Sequence, residues 1–381
     1  MRGSFINCLS MFDVLTGYNM FDDILISFGL NAADYEVQPF GSGLINHTYK
    51  LKGHSDAYIL QQINTSVFKN PGFIANNLEL VRTYLGKHNP GYLFVAPLKT
   101  IDDHFMVKSS EGKFYRLFPF IDGSHTVNFL QDKQEAFEAA VQFGRFTRLL
   151  NDFDIGQLQY TLSDFHNLKL RFDQFKTASK NALPVKLTEA ATEIKEVYNQ
   201  YQILQTYNQL IANNEIPLRA IHHDTKINNV LFDSQNHALC LVDLDTVMPG
   251  YYLSDVGDMM RTYLSPANEE ETNLDKIHIR EDFFRAIYKG YMSEMGNILT
   301  EAEKQLFIFS GKLMIYMQAL RFLTDFLNND SYYGAQYPGH NLVRAKNQFK
   351  LLTEYTKAEP SFKLLISSVN RKFLTAEKQS N

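Results

Sequence analysis

The sequence predicts an α+β chain of two domains: a small antiparallel β lobe with one main helix, then a larger, mostly helical lobe. Three observations predict it. Strand-like runs fill the first third, helical periodicities dominate the rest, and 381 residues exceed one ordinary core at roughly 150 residues per domain. The turn Ile121-Asp122-Gly123-Ser124 is the natural joint, so 1–121 and 122–381 are the expected domains.

Residues 37–40 read as a first strand running into Gly41-Ser42-Gly43, and 44–51 resumes with alternating apolar character. Residues 57–61 make a third strand. Ile74, Leu78, Val81 and Leu85 then fall at helical spacing, with Gly86 as the expected stop. Further strands are expected at 92–96, 104–108 and 114–118, the last ended by Pro119. Beyond the joint, 132–150 is helical by its Ala, Phe and Leu content, and 187–214 reads as one long helix opened by Thr188. A β-rich island interrupts at 218–247. Thr300 and Glu303 form a capping box for a helix through Leu313, Met317, Leu320 and Leu327, and the polar tail from Lys372 is expected to fray.

Composition narrows the function. With 45% apolar and 21% charged residues the chain is globular, not disordered. Thirty Phe and 21 Tyr but no Trp count against an extended glycan groove built on tryptophan stacking. A net charge of −5 gives no polyanion footprint, hence no nucleic acid, and no run approaches the ~20 apolar residues of a membrane span. Cys8 and Cys240 make no disulfide framework, which points to a reducing compartment. The start of the chain only faintly imitates a signal peptide: its apolar run is short, and Asp13, Asp22 and Asp23 follow without a small-residue cleavage site. A cytoplasmic protein with a small-molecule substrate and no evident obligate protein partner is expected.

The β island carries the chemistry. Ile221-His222-His223-Asp224-Thr225-Lys226-Ile227-Asn228-Asn229 is an H-x-D-x-x-x-x-N pattern entering the apolar run Val230-Leu231-Phe232, and the next strand, Leu239-Cys240-Leu241-Val242, ends in Asp243. Phosphoryl transfer explains this set. The site has little covalent work to do; it must position a hydroxyl and neutralise phosphate charge. Asp224 would orient the acceptor hydroxyl and take its proton, while oxygens of Asn229 and Asp243 would hold Mg²⁺. The bland reading is a strand pair with turn-forming Asp and Asn; the spacing of all three residues with two strands disfavours it. Gly41-Ser42-Gly43-Leu44-Ile45-Asn46 lies between two strands, a phosphate-covering arrangement with Asn46 where a third glycine would stand.

These segments resemble the aminoglycoside phosphotransferase and choline kinase superfamily, relatives of protein kinases, whose Asp-x(n)-Gly-x(n)-Asp stretch is matched by Asp243, Gly250, Asp255 and Asp258. More narrowly, residues 223–233 and 238–250, with Ala319-Leu320-Arg321-Phe322-Leu323-Thr324-Asp325 and His340-Asn341-Leu342-Val343-Arg344, are similar to bacterial N-acetylhexosamine 1-kinases. The resemblance implies a protein-kinase-like two-lobe fold. It also implies ATP with Mg²⁺, and transfer to the anomeric hydroxyl of N-acetylglucosamine or N-acetylgalactosamine. Gly41, Ser42, Gly43 and Asn46 would then meet the nucleotide. Tyr115-Arg116-Leu117-Phe118-Pro119-Phe120 would be the adenine hinge, with Arg116, Phe118 and Phe120 as contacts. Arg321 and Asp325 would contact the sugar, the alternative being that Arg321 only pairs with Asp325 one turn along its helix. Asp255 and Asp258 are expected to brace the catalytic loop.

One departure stands out. Kinases carry a lysine on the third strand, paired with a helix glutamate; here that strand holds Gln61, and Glu79 on the next helix is either the old partner or a surface residue. Gln61 offers phosphate a neutral hydrogen bond, weaker than a charge-assisted one. Lys226, two residues after Asp224, is expected to supply the missing charge at the γ-phosphate. The competing functions are a kinase for choline, an aminoglycoside or another amino sugar, and a nucleotide-binding pseudokinase. A glycosidase would not need Asn229 and a Gly-rich loop, and none of the 11 prolines sits in the C/S-x-P setting of a sulfatase.

Overall fold

The structure is a computed structural model that describes residues 21–41 and 45–380, with side chains to Arg371. Cys8, Ser42 and Gly43 lie outside the described residues. The chain divides into two compact units: one takes the residues up to Glu79 together with Val95–Asp122, the other Leu80–Phe94 and the chain from Gly123 onward.

The first unit is an antiparallel sheet over a short helix. Helix α1 (Asp22–Ser27) precedes strands β1 (Glu36–Pro39), β2 (His47–Lys52) and β3 (Ala57–Ile63); helix α2 (Pro71–His88) follows, then β4 (Val107–Lys108) and β5 (Phe114–Pro119). The strand order is β1-β2-β3-β5-β4, antiparallel at every pairing. One face buries Leu51, Leu60, Tyr115 and Leu117 against Phe21, Ile24 and Leu25 at and in α1. Because strand side chains alternate, Thr48, Gln61 and Arg116 fall on the opposite face, in register across β2, β3 and β5. In α2 the predicted stripe Ile74, Leu78, Val81 and Leu85 is buried, but the helix runs through Gly86 to His88.

Two strand expectations need correction. Residues 92–96 form no strand: Phe94 stacks on Phe146 and Val95 is buried, so this segment spends its apolar side chains on packing without ladder hydrogen bonds. Of 104–108 only Val107–Lys108 pairs, because residues 100–104 turn back through Asp103 at φ 64°, closed by the Thr100 amide on the His104 carbonyl.

The second unit begins with α3 (Lys133–Leu149), opened by a capping box between Asp132 and Glu135. Then come α4 (Leu168–Asn181), α5 (Pro184–Glu189), α6 (Ala191–Asn199) and α7 (Tyr201–Ala212). The single helix expected over 187–214 is therefore three. It breaks at Ala190 (φ −100°, ψ 12°) and Gln200 (φ −98°, ψ 11°). At the second break the Val197 carbonyl, which a continuous helix would give to the Tyr201 amide, accepts the Tyr316 hydroxyl at 2.8 Å.

The β island forms two small ladders, β6 (Arg219–Ile221) with β9 (Met248–Gly250) and, between them in sequence, β7 (Val230–Phe232) with β8 (Ala238–Leu241). Helices α8 (Leu253–Tyr263), α9 (Glu281–Met295), α10 (Glu301–Gln305), α11 (Phe307–Leu327) and α12 (His340–Ser380) complete the unit. The Thr300–Glu303 capping box forms as read, although its helix stops at Leu306 before α11 resumes. Fraying was expected from Lys372; α12 continues to Ser380.

Two contacts set where the island sits. Gly257 on α8 lets the backbones of α8 and α11 touch, since a Cβ there would meet the Ser310 carbonyl oxygen at 2.2 Å. Arg219 at the head of β6 gives Nε and Nη2 to the fully buried Glu303 carboxylate at 2.9 and 2.8 Å. Among the described residues no helix is long and apolar enough to cross a membrane.

Candidate active site

The β6–β7 connection, residues 222–229, is a loop whose backbone is held almost atom by atom. The two carboxylate oxygens of Asp255 on α8 accept the amides of His222 at 3.0 Å and His223 at 2.7 Å. Asp258, one turn along, accepts the Thr225 amide at 3.0 Å. The Thr225 hydroxyl donates to the Asp255 carbonyl at 2.9 Å, and the Tyr263 hydroxyl donates to the Thr225 carbonyl at 2.5 Å. Thr246 donates to the His222 carbonyl at 2.6 Å. Asp255 and Asp258 are thus braces.

This hold explains how His223 remains in the left-handed region at φ 68°; Asp243, after β8, takes the same region at φ 55°. Such conformations persist when surrounding bonds over-determine them, and they cluster at functional sites. His223 lies inside the predicted motif, and Asp243 ends the strand pair that follows it.

Asp224 is fixed through its backbone. Its amide donates to His222 Nδ1 at 3.3 Å, and its carbonyl accepts Asn229 Nδ2 at 2.9 Å. His222 Nε2 in turn donates to the Val242 carbonyl at 3.1 Å; burial keeps this imidazole below its ordinary pKa, hence neutral, in the tautomer those two partners require. Burial alone would push the Asp224 carboxyl up. Burial is the largest single influence, but the Lys226 ammonium, 3.2 Å from Oδ1, together with His222 and Arg261 outweighs it and leaves the group below the usual carboxylate range. Asp224 is therefore an ionised carboxylate at neutral pH with its side chain 23% exposed, and the Lys226 side chain is half exposed.

The Val242 amide donates to the Asn229 carbonyl at 2.9 Å, extending the β7–β8 ladder by one pair and setting Asp243 beside Asn229. With Nδ2 of Asn229 committed to the loop, its amide oxygen could meet a cation, as could the Asp243 carboxylate. An all-oxygen donor pair beside a nucleotide's phosphates fits Mg²⁺.

A second layer of charge lies behind the loop. Arg261 directs Nε and Nη2 to Asp258 Oδ1 at 3.0 and 2.9 Å and Nη1 to Glu269 at 3.1 Å; Glu269 also pairs with Arg344, whose guanidinium lies 3.8 Å from the Phe322 ring centroid. Asp258-x-x-Arg261 is a readable i,i+3 pair; no sequence signal pointed to Glu269.

Arg321 on α11 donates to Gln318 at 3.3 Å and lies over the rings of Phe165 and Tyr333 at 5.6 and 5.4 Å. Phe165 is 6.3 Å and His166 5.5 Å from the His223 ring, so a line of rings joins Arg321 to the residue preceding Asp224. His166 bonds Ser254 at 3.0 Å, and burial holds it well below its ordinary pKa; His223 falls to about 3 for the same reason. Phe165 and His166 come from an irregular segment that carries no motif.

Asp325 takes another part. It is 3% exposed, and its oxygens accept the amides of Tyr332 and Tyr333 and Asn341 Nδ2 at 2.7–3.0 Å, so its carboxylate shapes the chain after α11.

In the first unit Gly41 has φ 78°, and Asn46 Oδ1 accepts the Asn64 amide at 3.0 Å. Gln61 Oε1 accepts both Nε and Nη2 of Arg116, at 3.2 and 2.9 Å, and its Nε2 donates to Thr48 at 3.1 Å. In the expected hinge the Leu117 carbonyl accepts the Leu98 amide, the Phe120 amide donates to the Ala57 carbonyl, and Pro119 has no amide. The Phe120 ring is capped by the Lys50 ammonium at 3.4 Å.

Residues 36–288 match the phosphotransferase enzyme family. The chain belongs to this family. Among solved structures it is similar to an aminoglycoside phosphotransferase from Alicyclobacillus acidocaldarius, at 12% identity and TM-score 0.61 over 93% of this chain and 98% of that one. A microcompartment-associated aminopropanol kinase gives 13% and 0.62 over 90% and 97%. A spectinomycin phosphotransferase solved with ADP and spectinomycin gives 13% and 0.56 over 88% and 97%. At such identities the likeness is one of fold: α+β, with a five-stranded antiparallel sheet before a helical part. As a member of the family the chain is a phosphotransferase.

Proposed function

We propose that this phosphotransferase moves the γ-phosphoryl group of ATP to the anomeric hydroxyl of an N-acetylhexosamine, N-acetylglucosamine or N-acetylgalactosamine, giving the sugar 1-phosphate and ADP. The observation that carries the phosphoryl-transfer reading is the braced loop with an ionised Asp224 beside Lys226. The sugar is supported by the sequence blocks 223–250, 319–325 and 340–344 and by Arg321, placed among aromatic rings next to His223.

In the proposed step, O1 of the sugar bonds to the γ-phosphorus as the bond from that phosphorus to the ADP oxygen breaks. Asp224 orients the hydroxyl and accepts its proton; Lys226 faces the transferring group. Asn229 and Asp243 would hold Mg²⁺, which when bound neutralises phosphate charge. Gly41, Ser42, Gly43 and Asn46 would meet the nucleotide's phosphates, and Phe118 and Phe120 would offer rings to the base. Arg321 contacts the sugar.

A pseudokinase would have no need for a carboxylate kept ionised by a neighbouring ammonium. The test is ADP release with a panel of N-acetylglucosamine, N-acetylgalactosamine, glucose and choline. N-acetylhexosamines should support the highest kcat/KM, and Asp224→Ala should abolish turnover while sparing nucleotide binding. Preference for choline, or full activity in the variant, would refute the proposal.

A further inference from the structure

We propose that Arg116 on β5 is the cation by which the five-stranded sheet holds the nucleotide's α- and β-phosphates, in place of a third-strand lysine. The inference rests on the phosphotransferase reading and deepens it.

It starts from the side-chain row Thr48–Gln61–Arg116. Gln61 stands directly opposite Arg116 in the β3–β5 register and opposite Thr48 in the β2–β3 register. Directly opposite residues on one sheet face lie with Cβ atoms about 5 Å apart, so moving a charge from position 61 to position 116 shifts it by one strand, within reach of the same ligand. The amide of Gln61 can present only its oxygen to a guanidinium. That orientation is fixed, since Oε1 accepts Nε and Nη2 of Arg116 while Nε2 donates to Thr48. A lysine at position 61 would set a second positive charge against Arg116. Gln61 and Arg116 are thus a complementary pair: the neutral residue on the third strand aims the cation on its neighbour.

Three further observations fit. The row occupies the face that does not pack on α1, where Leu51, Leu60, Tyr115 and Leu117 are buried. Thr48 lies on β2, and its carbonyl accepts the Phe40 amide at 2.9 Å, so the row begins across the β1–β2 pair from the residue before Gly41. Arg116 is 2% exposed, with its guanidinium carbon 5.0 Å from the Phe118 ring centroid, so little water would screen its field on an anion held beside it. An arginine fork also matches phosphate oxygens in pairs, which an ammonium cannot.

Calorimetric titration of ADP and adenosine into the full chain separates phosphate binding from base binding. Arg116→Met should weaken ADP at least tenfold and leave adenosine unchanged. The double variant Gln61→Lys/Arg116→Met, which returns a cation to the third strand, should recover most of the ADP affinity; it also serves if the single variant does not fold. An unchanged ADP-to-adenosine affinity ratio in folded Arg116→Met, or a double variant that stays weak for ADP, would overturn the assignment while the kinase reading stands. Failure of the unaltered chain to bind ADP at all would bring down both.

Discussion

Asp255→Asn probes how the catalytic loop is held. Asp255 is fully buried and accepts two backbone amides, one on each oxygen. The amide side chain keeps one acceptor, but its NH2 cannot accept as the hydroxyl oxygen of the protonated acid can, so either His222 or His223 loses its partner. A buried donor left unpaired costs about 1–3 kcal/mol, and the substitution should lower the unfolding free energy by roughly 2 kcal/mol at pH 6. Titration adds a sign. Burial pushes the Asp255 carboxyl up to about 7, against the pull of the two loop amides. A folded-state pKa raised above the unfolded value means stability present at low pH and lost as pH rises through 7. Between pH 6 and 8 the folded chain holds on average about half a proton more than the unfolded one, a loss of about 1.4 kcal/mol over the two units. The amide does not titrate, so the variant's deficit should shrink by about that amount from pH 6 to pH 8, while other titrating groups cancel in the difference. Urea unfolding at both pH values, with kcat beside it, measures this. A deficit below about 0.5 kcal/mol at pH 6, or one that widens toward pH 8, would refute the reasoning.

Other outcomes follow from the same geometry. Lys226→Met removes the ammonium that keeps Asp224 ionised, so kcat should fall at least tenfold and the acid limb of kcat/KM should move to higher pH; near-normal kcat with an unmoved limb would contradict the role. His223, buried and held neutral down to about 3, should make the fold acid-sensitive: the unfolded chain protonates below its ordinary value near 6.5 and the folded one does not, a loss of about 1.4 kcal/mol by pH 5.5, read as a falling Tm. Tyr263→Phe leaves the buried Thr225 carbonyl without its hydroxyl donor and should cost about 1–3 kcal/mol in urea unfolding, with kcat reduced more than KM is raised. Asp243→Ala should weaken ATP binding in the presence of Mg²⁺ and leave binding in chelator unchanged, measured by titration.

Much of this was legible in the sequence for local reasons. The capping box at Thr300 was readable because both partners lie within one turn, and the β island is readable because short apolar runs end in Asn and Asp; the equivalent box at Asp132 went unread. Asn229 and Asp243 could be read together because they sit at the adjoining ends of β7 and β8, with Asp224 in the loop that leads into β7. What was not legible depends on distant partners. The break at Gln200 comes with a carbonyl given to Tyr316, more than a hundred residues away. Asp325 turned from Arg321 to the amides of Tyr332 and Tyr333 because the chain folds back after α11. The bond from Arg116 to Gln61 joins residues 55 apart in sequence and depends on the strand register. The rings of Phe165 and His166 reach His223 from a segment with no periodicity at all.

The central claim is that this phosphotransferase uses Asp224 to pass a phosphoryl group to the anomeric oxygen of an N-acetylhexosamine. Phosphorus NMR of the chain incubated with ATP, Mg²⁺ and N-acetylglucosamine or N-acetylgalactosamine tests it most directly. The account predicts a phosphate resonance coupled to the anomeric proton, growing with ADP and absent with Asp224→Ala. A phosphate ester at another hydroxyl, or none with either sugar while another acceptor is phosphorylated, would contradict it.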